Sequence, residues 1–421
     1  MIFYLGLGSN IGDRRAALTT AIIEIGKVSS LSRISPVYET PALTPNNAPG
    51  TWNKPYLNLA LEIDWHHSPL QLLEAIKAIE TRMGRVKSER WAPRVIDIDI
   101  LLCPVRVEYA ELKIPHSELF KRSFVLDPLK DLIPFFQCET EKYDLRKLAR
   151  ALAQSTPQCM NIVNLTPDSF SDGGGIASTH DFVVKLEELE RAAVPIVDLG
   201  AESTRPGATA VDPQLEWVRL KPYVSTFQSR YQSQSIRPQF SVDTRHFETA
   251  QKCLEHGADI INDVSGLTDS RMLALLQKSP CQYILMHSLS VPANPQVTLS
   301  ENQDVIAELK TWLSDKLKVL QANNIDLKRI IFDPGIGFGK TAQQSIRILQ
   351  QLHQFHEFPV RILVGHSRKS FMKIFSAAEA PGRDVESVAL TVALAGKGVD
   401  ILRVHDAPTH MRALLARNHV V

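Results

Sequence analysis

Residues 240–266, FSVDTRHFETAQKCLEHGADIINDVSG, decide the fold. An apolar run closes on Asp243, an amphipathic stretch of helix length follows, and a second apolar run closes on Asn262. The same rhythm recurs in NIVNLTPD (161–168), PIVDLGAEST (195–204), YILMHS (283–288), IIFDPG (330–335), ILVGHS (362–367) and ILRVHD (401–406). Most of these runs are separated by amphipathic segments such as Val305 to Leu320. Eight β-α units in roughly 260 residues are the count and length of a (β/α)8 barrel. In that fold the chemistry sits at the C-terminal ends of the strands. Here those ends carry Asn164, Asp168, Thr204, Arg205, Asp243, Asn262, Asp333, Ser367, Lys369, Arg403 and His405. A single polar strand end usually caps a helix or contacts a loop, whereas eight together read as an active site.

The residue types narrow what such a site would take. Asp and Asn side chains from different strands offer both donors and acceptors to an aminopyrimidinone edge. Arg403, His405 and a hydroxyl near Thr204 suit a diphosphate. The stretch Pro334-Gly-Ile-Gly-Phe-Gly339-Lys340-Thr341 resembles a phosphate-binding P-loop. Its first glycine position is Pro334, which has no N–H to donate, so a nucleotide site is rejected there.

Upstream of the barrel the rhythm changes. Ile2 to Leu7 reads as a strand, followed by a helix with Leu18, Ala21, Ile22 and Ile25 on one face. A second helix starts at Ser68, with Pro69 at its first position, Gln71 completing a capping box, and a stripe of Leu72, Ile76, Ile79 and Met83. Tyr56 to Trp65 and Val95 to Leu102 read as further strands. These elements predict an α+β sandwich of ferredoxin-like type, an antiparallel sheet with helices, over residues 1–137. Residues 138–157, polar with a short stripe of Leu145, Leu148 and Leu152, read as a linker with a connecting helix. The barrel would then occupy 158–421.

The sharpest local signal is Val95-Ile-Asp97-Ile-Asp99-Ile. On a strand, residues two apart share a face, which places the two carboxylates about 6–7 Å apart. Ile96, Ile98, Ile100 and Leu102 take the opposite face. Paired carboxylates repel unless a cation lies between them, and oxygen ligands of this kind suit Mg²⁺. Arg85, Lys87, Arg90 and Arg94 lie just upstream, enough charge for several phosphates. Paired Asp with clustered Arg meets the needs of Mg-ATP. By spacing alone, the same residues also fit an edge strand with solvated carboxylates beside a basic loop.

The 421 residues are 44% hydrophobic and 22% charged, with a net charge of +1, which argues against nucleic acid or a membrane surface as partner. No apolar run reaches the ~18 residues of a membrane span, and the first residues lack the features of a signal or transit peptide. Five cysteines without a CxxC pair suggest neither a disulfide framework nor a zinc site. The expected location is the cytoplasm.

Several motifs occur in order: Gly6-Leu-Gly8-Ser9-Asn10, Ser35-Pro-Val-Tyr-Glu-Thr40-Pro41, Tyr56-Leu-Asn58, Arg90-Trp91-Ala-Pro-Arg94-Val-Ile-Asp97-Ile-Asp99, Ile114-Pro-His116 and Arg122-Ser-Phe124. Together they resemble 6-hydroxymethyl-7,8-dihydropterin pyrophosphokinase over residues 1–137. The resemblance implies diphosphate transfer from ATP to the pterin hydroxymethyl group. It implies two Mg²⁺ on Asp97 and Asp99, with Glu80, Arg85, Arg94, His116 and Arg122 on the nucleotide. Trp91 and Phe124 would sandwich the pterin, with Thr40, Tyr56 and Asn58 at its edge. Arg85, Arg94, Asp97 and Asp99 would be the catalytic set. The loop after Gly84-Arg85 is one residue shorter than the family pattern and carries Lys87.

The barrel motifs resemble dihydropteroate synthase over residues 158–421. They are Asn164-Leu-Thr-Pro-Asp-Ser-Phe-Ser-Asp172, Gly200-Ala-Glu-Ser-Thr-Arg-Pro-Gly207, Ser241-Val-Asp243, Ile261-Asn262-Asp, Asp333-Pro-Gly-Ile-Gly-Phe-Gly-Lys340, Gly365-His-Ser-Arg-Lys369 and Arg403-Val-His405. This implies condensation of the pterin diphosphate with p-aminobenzoate. Asp243, Asn262, Met286, Asp333 and Lys369 would bind the pterin. Asn164, Thr204, Arg403 and His405 would bind the diphosphate, with one Mg²⁺ on Asn164. Thr166, Pro167, Arg205, Phe338 and Ser367 would frame the p-aminobenzoate, and Lys369 and Arg403 would be catalytic. The chain departs from the family pattern at Asn161, where a glycine is usual, and at Ser288-Leu-Ser-Val-Pro292.

The two resemblances support each other, because the product of the first reaction is the substrate of the second. Alternatives are a chain with one inactive domain, or a barrel that transfers a methyl group from a folate. A homodimer through the barrel is implied by the family.

Overall fold

The computed structural model describes residues 1–45, 47–86, 89, 91–165, 176–204 and 207–421. Lys87, Arg90, Thr166, Pro167, Asp168 and Arg205 lie outside the described residues. The chain divides into two compact units, one formed mainly by Met1–Thr156 and the other by Pro157–Ser233 with Pro238–Leu414.

The first unit runs β1 (Ile2–Ser9), α1 (Arg14–Gly26), β2 (Ser30–Ile34), β3 (Tyr38–Thr40), β4 (Tyr56–Asp64), α2 (Pro69–Arg82) and β5 (Asp97–Leu102). Two short strands, β6 (Val107–Glu108) and β7 (Lys113–Ile114), precede α3 (Ser123–Leu132), β8 (Phe135–Cys138), β9 (Glu141–Asp144) and α4 (Leu145–Arg150). The main sheet is ordered β2-β4-β1-β5, with β3 on β4 and antiparallel pairing throughout. Leaving β3 aside, this is a βαββαβ chain whose last strand pairs the first, the ferredoxin-like arrangement. Helix α2 begins as expected, with the Ser68 and Gln71 capping box formed and Pro69 at the first position.

Residues 138–150 are not a free linker. Leu145 and Ala149 are fully buried with Leu126, Leu129 and Tyr4, so α4 belongs to the core of the first unit. A polar segment with a short apolar stripe has no reason to stay solvated once a partner face is within reach.

The second unit is a closed barrel of eight parallel strands, β10 to β17 in chain order. They are β10 (Gln158–Asn164), β11 (Ile196–Gly200), β12 (Gln239–Asp243), β13 (Ile260–Asp263), β14 (Gln282–Met286), β15 (Ile330–Asp333), β16 (Arg361–Val364) and β17 (Ile401–Val404). Helices α5 (Thr179–Arg191), α6 (Pro213–Tyr231), α7 (Phe247–Glu255), α8 (Arg271–Lys278), α9 (Val305–Ala322), α10 (Ala342–Gln350), α11 (Asp384–Ala395) and α12 (Ala407–Asn418) follow the strands in turn.

Side chains alternate between the helical shell and the barrel interior. Cys159, Val197, Leu199, Phe240, Val242, Tyr283, Phe332 and Leu402 face the helices. Seven of the eight strands contribute a fully buried apolar residue to one interior layer: Met160, Ile196, Ile260, Ile284, Ile331, Leu363 and Ile401. One pleat further along, four of these strands turn polar, at Asp198, Asn262, Asp333 and Arg403. The barrel therefore has an apolar belt beneath a charged mouth, the polarity expected of its C-terminal face.

Asn161 is explained by this layout. It is fully buried on the helix-facing side, its Oδ1 accepting the Ala407 N–H at 3.0 Å and its Nδ2 donating to the Ile162 carbonyl at 3.0 Å. The amide thus caps the N-terminus of α12, a contact that glycine cannot make.

Candidate active sites

In the first unit the sheet face carrying Gly6, Gly8, Asp97 and Asp99 forms one wall of a cavity of about 330 Å³. Thr40, Tyr56, Asn58, Trp91, Arg94, His116, Arg122 and Phe124 also line it. Ten of the residues singled out in the sequence are therefore brought to one hollow, from β3, β4, β5, the loops holding Trp91 and His116, and the start of α3. The sheet register explains why two of the wall residues are glycines. Gly8 lies opposite both Asn58 and Asp97, and a Cβ there would stand 2.8 Å from Asn58 Oδ1. The missing side chain leaves room for the Asn58 amide, which donates to Thr40 Oγ1 at 2.8 Å. If the cavity takes the pterin that the sequence resemblance implies, Gly8→Ala is expected to raise KM for it about tenfold by displacing that amide, with KM for ATP unchanged. Initial-rate kinetics in both substrates check this, and equal changes in both constants would contradict it.

Asp97 and Asp99 share a face as expected, with Ile96, Ile98, Ile100 and Leu102 buried behind them. Arg94 Nη1 donates to both Asp97 oxygens at 3.0 Å, and Arg85 Nη1 lies 2.8 Å from Asp97 Oδ1. Burial, then the neighbouring Asp97 charge, push the Asp99 carboxyl upward, partly opposed by His116, Lys77 and Arg122. A carboxylate held in that state favours an added cation beside it. Among the described residues no cluster of three or more His, Cys, Asp or Glu side chains forms a metal cage. Mg²⁺ does not need one, since one or two carboxylates with substrate phosphates suffice. The residues fit that ion.

Glu80, expected beside the nucleotide, is turned inward and only 1% exposed. Its Oε1 accepts from the Ile98 N–H at 2.9 Å and from Arg85, while Oε2 meets Lys77 Nζ at 2.9 Å. Its place is therefore behind the arginine, where it fixes Arg85 and the β5 backbone. Arg122 lies near both aromatic walls, its Cζ 5.7 Å from the Trp91 ring and 5.8 Å from the Phe124 ring.

At the barrel mouth, Arg403 joins two carboxylates: Nε to Asp198 Oδ2 at 2.7 Å and Nη2 to Asp243 Oδ2 at 2.6 Å. Asn262 Nδ2 reaches Asp198 Oδ2 at 3.3 Å. Asp333 accepts the Gly335 N–H at 2.7 Å, and Lys369 Nζ bonds the Ile336 carbonyl and lies 4.6 Å from the Phe338 ring. His405 Nδ1 and Ser367 Oγ are 3.0 Å apart. Asn164 ends β10, and Met286, buried at the end of β14, pairs with Asp333 across the strands. Thr204 is fixed through its carbonyl, which accepts the Ala293 N–H at 3.1 Å.

The lookalike loop has a structural job. Lys340 is buried, with Nζ bonded to His287 Nδ1 at 2.6 Å, the His287 carbonyl at 2.9 Å and the Phe338 carbonyl at 3.0 Å. All three contacts of its amino group lie inside the protein, which turns the lysine away from any phosphate. Burial and Lys340 together hold His287 neutral, near 3. Gly335 has φ +68°, and a Cβ there would fall 1.9 Å from the His287 carbonyl oxygen. The segment after His287 is thus bound closely to the loop after β15, with Leu299 N–H on the Gly339 carbonyl at 2.9 Å.

Burial pushes Asp243 up to about 7, against the pull of Arg403 and with help from Asp198, Glu216 and Glu202. Burial brings Lys369 down to about 8, opposed by Asp333. If the carboxylate accepts a ligand N–H and the ammonium donates to a ligand oxygen, kcat/KM rises as Asp243 ionises near pH 7. It falls as Lys369 loses its proton near pH 8. A narrow bell is expected. A rate constant that is level from pH 5 to 9 would contradict this.

Residues 4–134 match the family described as 7,8-dihydro-6-hydroxymethylpterin-pyrophosphokinase, and residues 160–405 match the family described as pterin binding enzyme. Over 440 residues the chain is 32% identical to the folate synthesis bifunctional protein of Chlamydia muridarum, covering 98% of this chain and 96% of that protein. The chain belongs to the folate synthesis bifunctional proteins. It is also 34% identical to a folic acid synthesis protein of Schizosaccharomyces pombe, covering 96% of this chain and 57% of that longer protein.

Among solved structures, dihydropteroate synthase from Anaplasma phagocytophilum with bound 6-hydroxymethylpterin-monophosphate is 30% identical with a TM-score of 0.57. It matches 63% of this chain and 100% of its own. The Xanthomonas albilineans enzyme with 4-aminobenzoic acid is 32% identical, also at 0.57, covering 63% of this chain and 94% of its own. As a folate synthesis bifunctional protein, the chain is a transferase with a pyrophosphokinase domain ahead of a dihydropteroate synthase barrel. One residue of the barrel mouth escaped the sequence reading: Asp198, the fully buried partner of Arg403. Its signal was a charge in the middle of the apolar run PIVDLG, where a buried carboxylate demands partners.

Proposed function

We propose that the two sites act in sequence. In the first, the hydroxymethyl oxygen of 6-hydroxymethyl-7,8-dihydropterin attacks the β-phosphorus of ATP and gives up its proton, the bond from that phosphorus to the α-phosphate oxygen breaks, and AMP leaves. The observation that carries this reading is the single hollow in which two aromatic walls and an amide face paired carboxylates and arginines. Trp91 and Phe124 suit the faces of a flat heterocycle, and Asn58, Thr40 and Tyr56 suit its polar edge. Arg85, Arg94, His116 and Arg122 provide cationic donors for phosphate oxygens, and Glu80 holds Arg85 in place. Asp97 and Asp99 would hold two Mg²⁺, which supply charge neutralisation on the transferred phosphates.

In the barrel, the amine of p-aminobenzoate attacks the exocyclic methylene of the pterin diphosphate. The carbon–oxygen bond breaks, pyrophosphate leaves, the amine gives up a proton, and 7,8-dihydropteroate forms. Asp243, Asn262, Met286, Asp333 and Lys369 would take the pterin. Arg403, His405, Thr204 and Asn164 would take the diphosphate, with one Mg²⁺ on Asn164. Phe338 and Ser367 would frame the aminobenzoate, together with Thr166, Pro167 and Arg205. The pterin ring can spread the developing positive charge, so no protein nucleophile is needed.

No described helix is long and apolar enough to cross a membrane. A cytoplasmic location and a homodimer through the barrel belong to this same reading. Metal removal tests it. Chelation is expected to stop AMP formation, and added Mg²⁺ to restore it. AMP formation that persists in chelator would refute the two-ion assignment.

A further inference from the structure

We propose that Asp198 is a positioning residue of the synthase site, holding Arg403 and Asn262 in the orientation in which they meet the pterin diphosphate without touching that substrate itself. The inference rests on the reading above that Arg403 and Asn262 bind the substrate.

Asp198 sits mid-strand on β11 with no exposed surface. Both of its oxygens are engaged by the protein. Oδ1 accepts from Ser241 Oγ at 2.6 Å, and Oδ2 accepts from Arg403 Nε at 2.7 Å and Asn262 Nδ2 at 3.3 Å. It therefore ties β11 to groups on β12, β13 and β17. A carboxylate so occupied is poorly placed to take a ligand, but it decides how its neighbours point.

Two consequences follow for those neighbours. The carboxylate draws the NH₂ end of Asn262 toward itself, which leaves the amide oxygen as the acceptor on the other side. Arg403 is gripped along two edges of its plane, by Asp198 at Nε and Asp243 at Nη2, so its third nitrogen, Nη1, is engaged by neither carboxylate. A guanidinium held this way loses little rotamer freedom when it meets an anion.

Stability alone is a weak reason for this arrangement. The interior just below is apolar on seven of the eight strands, and replacing buried ionic groups by packed apolar side chains is often neutral or stabilising. A charge placed one pleat above that layer, under two substrate-facing groups, fits orientation better.

The test uses Asp198→Ala and the isosteric Asp198→Asn in the full chain, supplied with pterin diphosphate and p-aminobenzoate. Asp198→Ala is expected to raise KM for pterin diphosphate at least about tenfold, with KM for p-aminobenzoate within about twofold. Asp198→Asn keeps the shape and removes the charge. Asp243 is faced by Arg403, Asp198, Glu216 and Glu202, and Lys369 responds to it in turn. Losing one like charge is expected to move the acidic limb of kcat/KM toward lower pH by about one unit.

A merely structural residue would reduce the amount of active protein and leave both KM values and the pH limb in place. That result in both variants overturns the proposal. Asn262→Ala, measured alongside, separates the two levels. If it too leaves KM for pterin diphosphate unchanged, the underlying assignment of the site has failed. If it raises that KM while the Asp198 variants do not, only the positioning role has failed.

Discussion

Asp97→Ala is expected to lower AMP formation by at least about 10³-fold while leaving dihydropteroate formation from supplied pterin diphosphate unchanged. Removing one preorganised group that meets developing charge costs on the order of 10²–10³ in rate. Here the loss is larger, because Asp97 also anchors Arg94 and Arg85 at 2.8–3.0 Å. Arg94 loses its carboxylate partner when Asp97 goes, and Arg85 is left with Glu80 alone. Asp97→Asn, which keeps the shape, is expected to retain more activity than Asp97→Ala yet stay well below wild type. Quantifying AMP under saturating substrates checks both variants. Wild-type rates in Asp97→Ala would remove the paired carboxylates from the mechanism.

Arg403→Ala is expected to abolish the synthase reaction and also to destabilise the barrel by about 3–5 kcal/mol, since it leaves two buried carboxylates without their shared cation. Asp198 is fully buried and Asp243 9% exposed, so water cannot compensate them. The loss depends on pH. Asp243 already titrates at about 7 in the folded protein, and Arg403 is what pulls it down. Without the arginine its folded pKa rises further above the unfolded carboxylate value of about 3.9, so the folded state binds the extra proton across that interval. Stability of the variant therefore falls as pH rises from about 4 through the raised pKa. Urea unfolding of the barrel is expected to show a larger deficit at pH 8 than at pH 5.5. Equal deficits would mean that the carboxylates find another partner.

Lys369→Ala is the useful contrast. Its ammonium bonds a backbone carbonyl and faces the Phe338 ring, so its removal strands no carboxylate that it directly bonds. Activity should fall with a smaller change in stability.

The barrel was legible because strand and interior have the same period. Every second residue of each apolar run faces the interior, and several runs close on a polar residue, so the ends at Asn164, Asp243 and Asp333 could be read directly. The first-unit cavity was legible for a different reason: its contributors are motifs of distinctive residue type, brought together by one sheet. Positions whose role depends on what lies across the core were harder to read. Glu80 falls at i+4 from Ile76 and i+8 from Leu72, on the buried stripe of α2, which was the available sign that it would turn inward. Asp198 was hidden because it lies in the middle of its apolar run, not at the closing position. The α4 segment read as linker because six residues of helix give too short a stripe to show which surface it would meet.

The most direct measurement supplies the wild-type chain with ATP, Mg²⁺, 6-hydroxymethyl-7,8-dihydropterin and p-aminobenzoate and follows AMP and dihydropteroate together. A parallel reaction receives pterin diphosphate and p-aminobenzoate without ATP. The account predicts both products in the first reaction and dihydropteroate alone in the second. AMP without dihydropteroate, or dihydropteroate only when pterin diphosphate is supplied, would contradict it by leaving one of the two sites without its reaction.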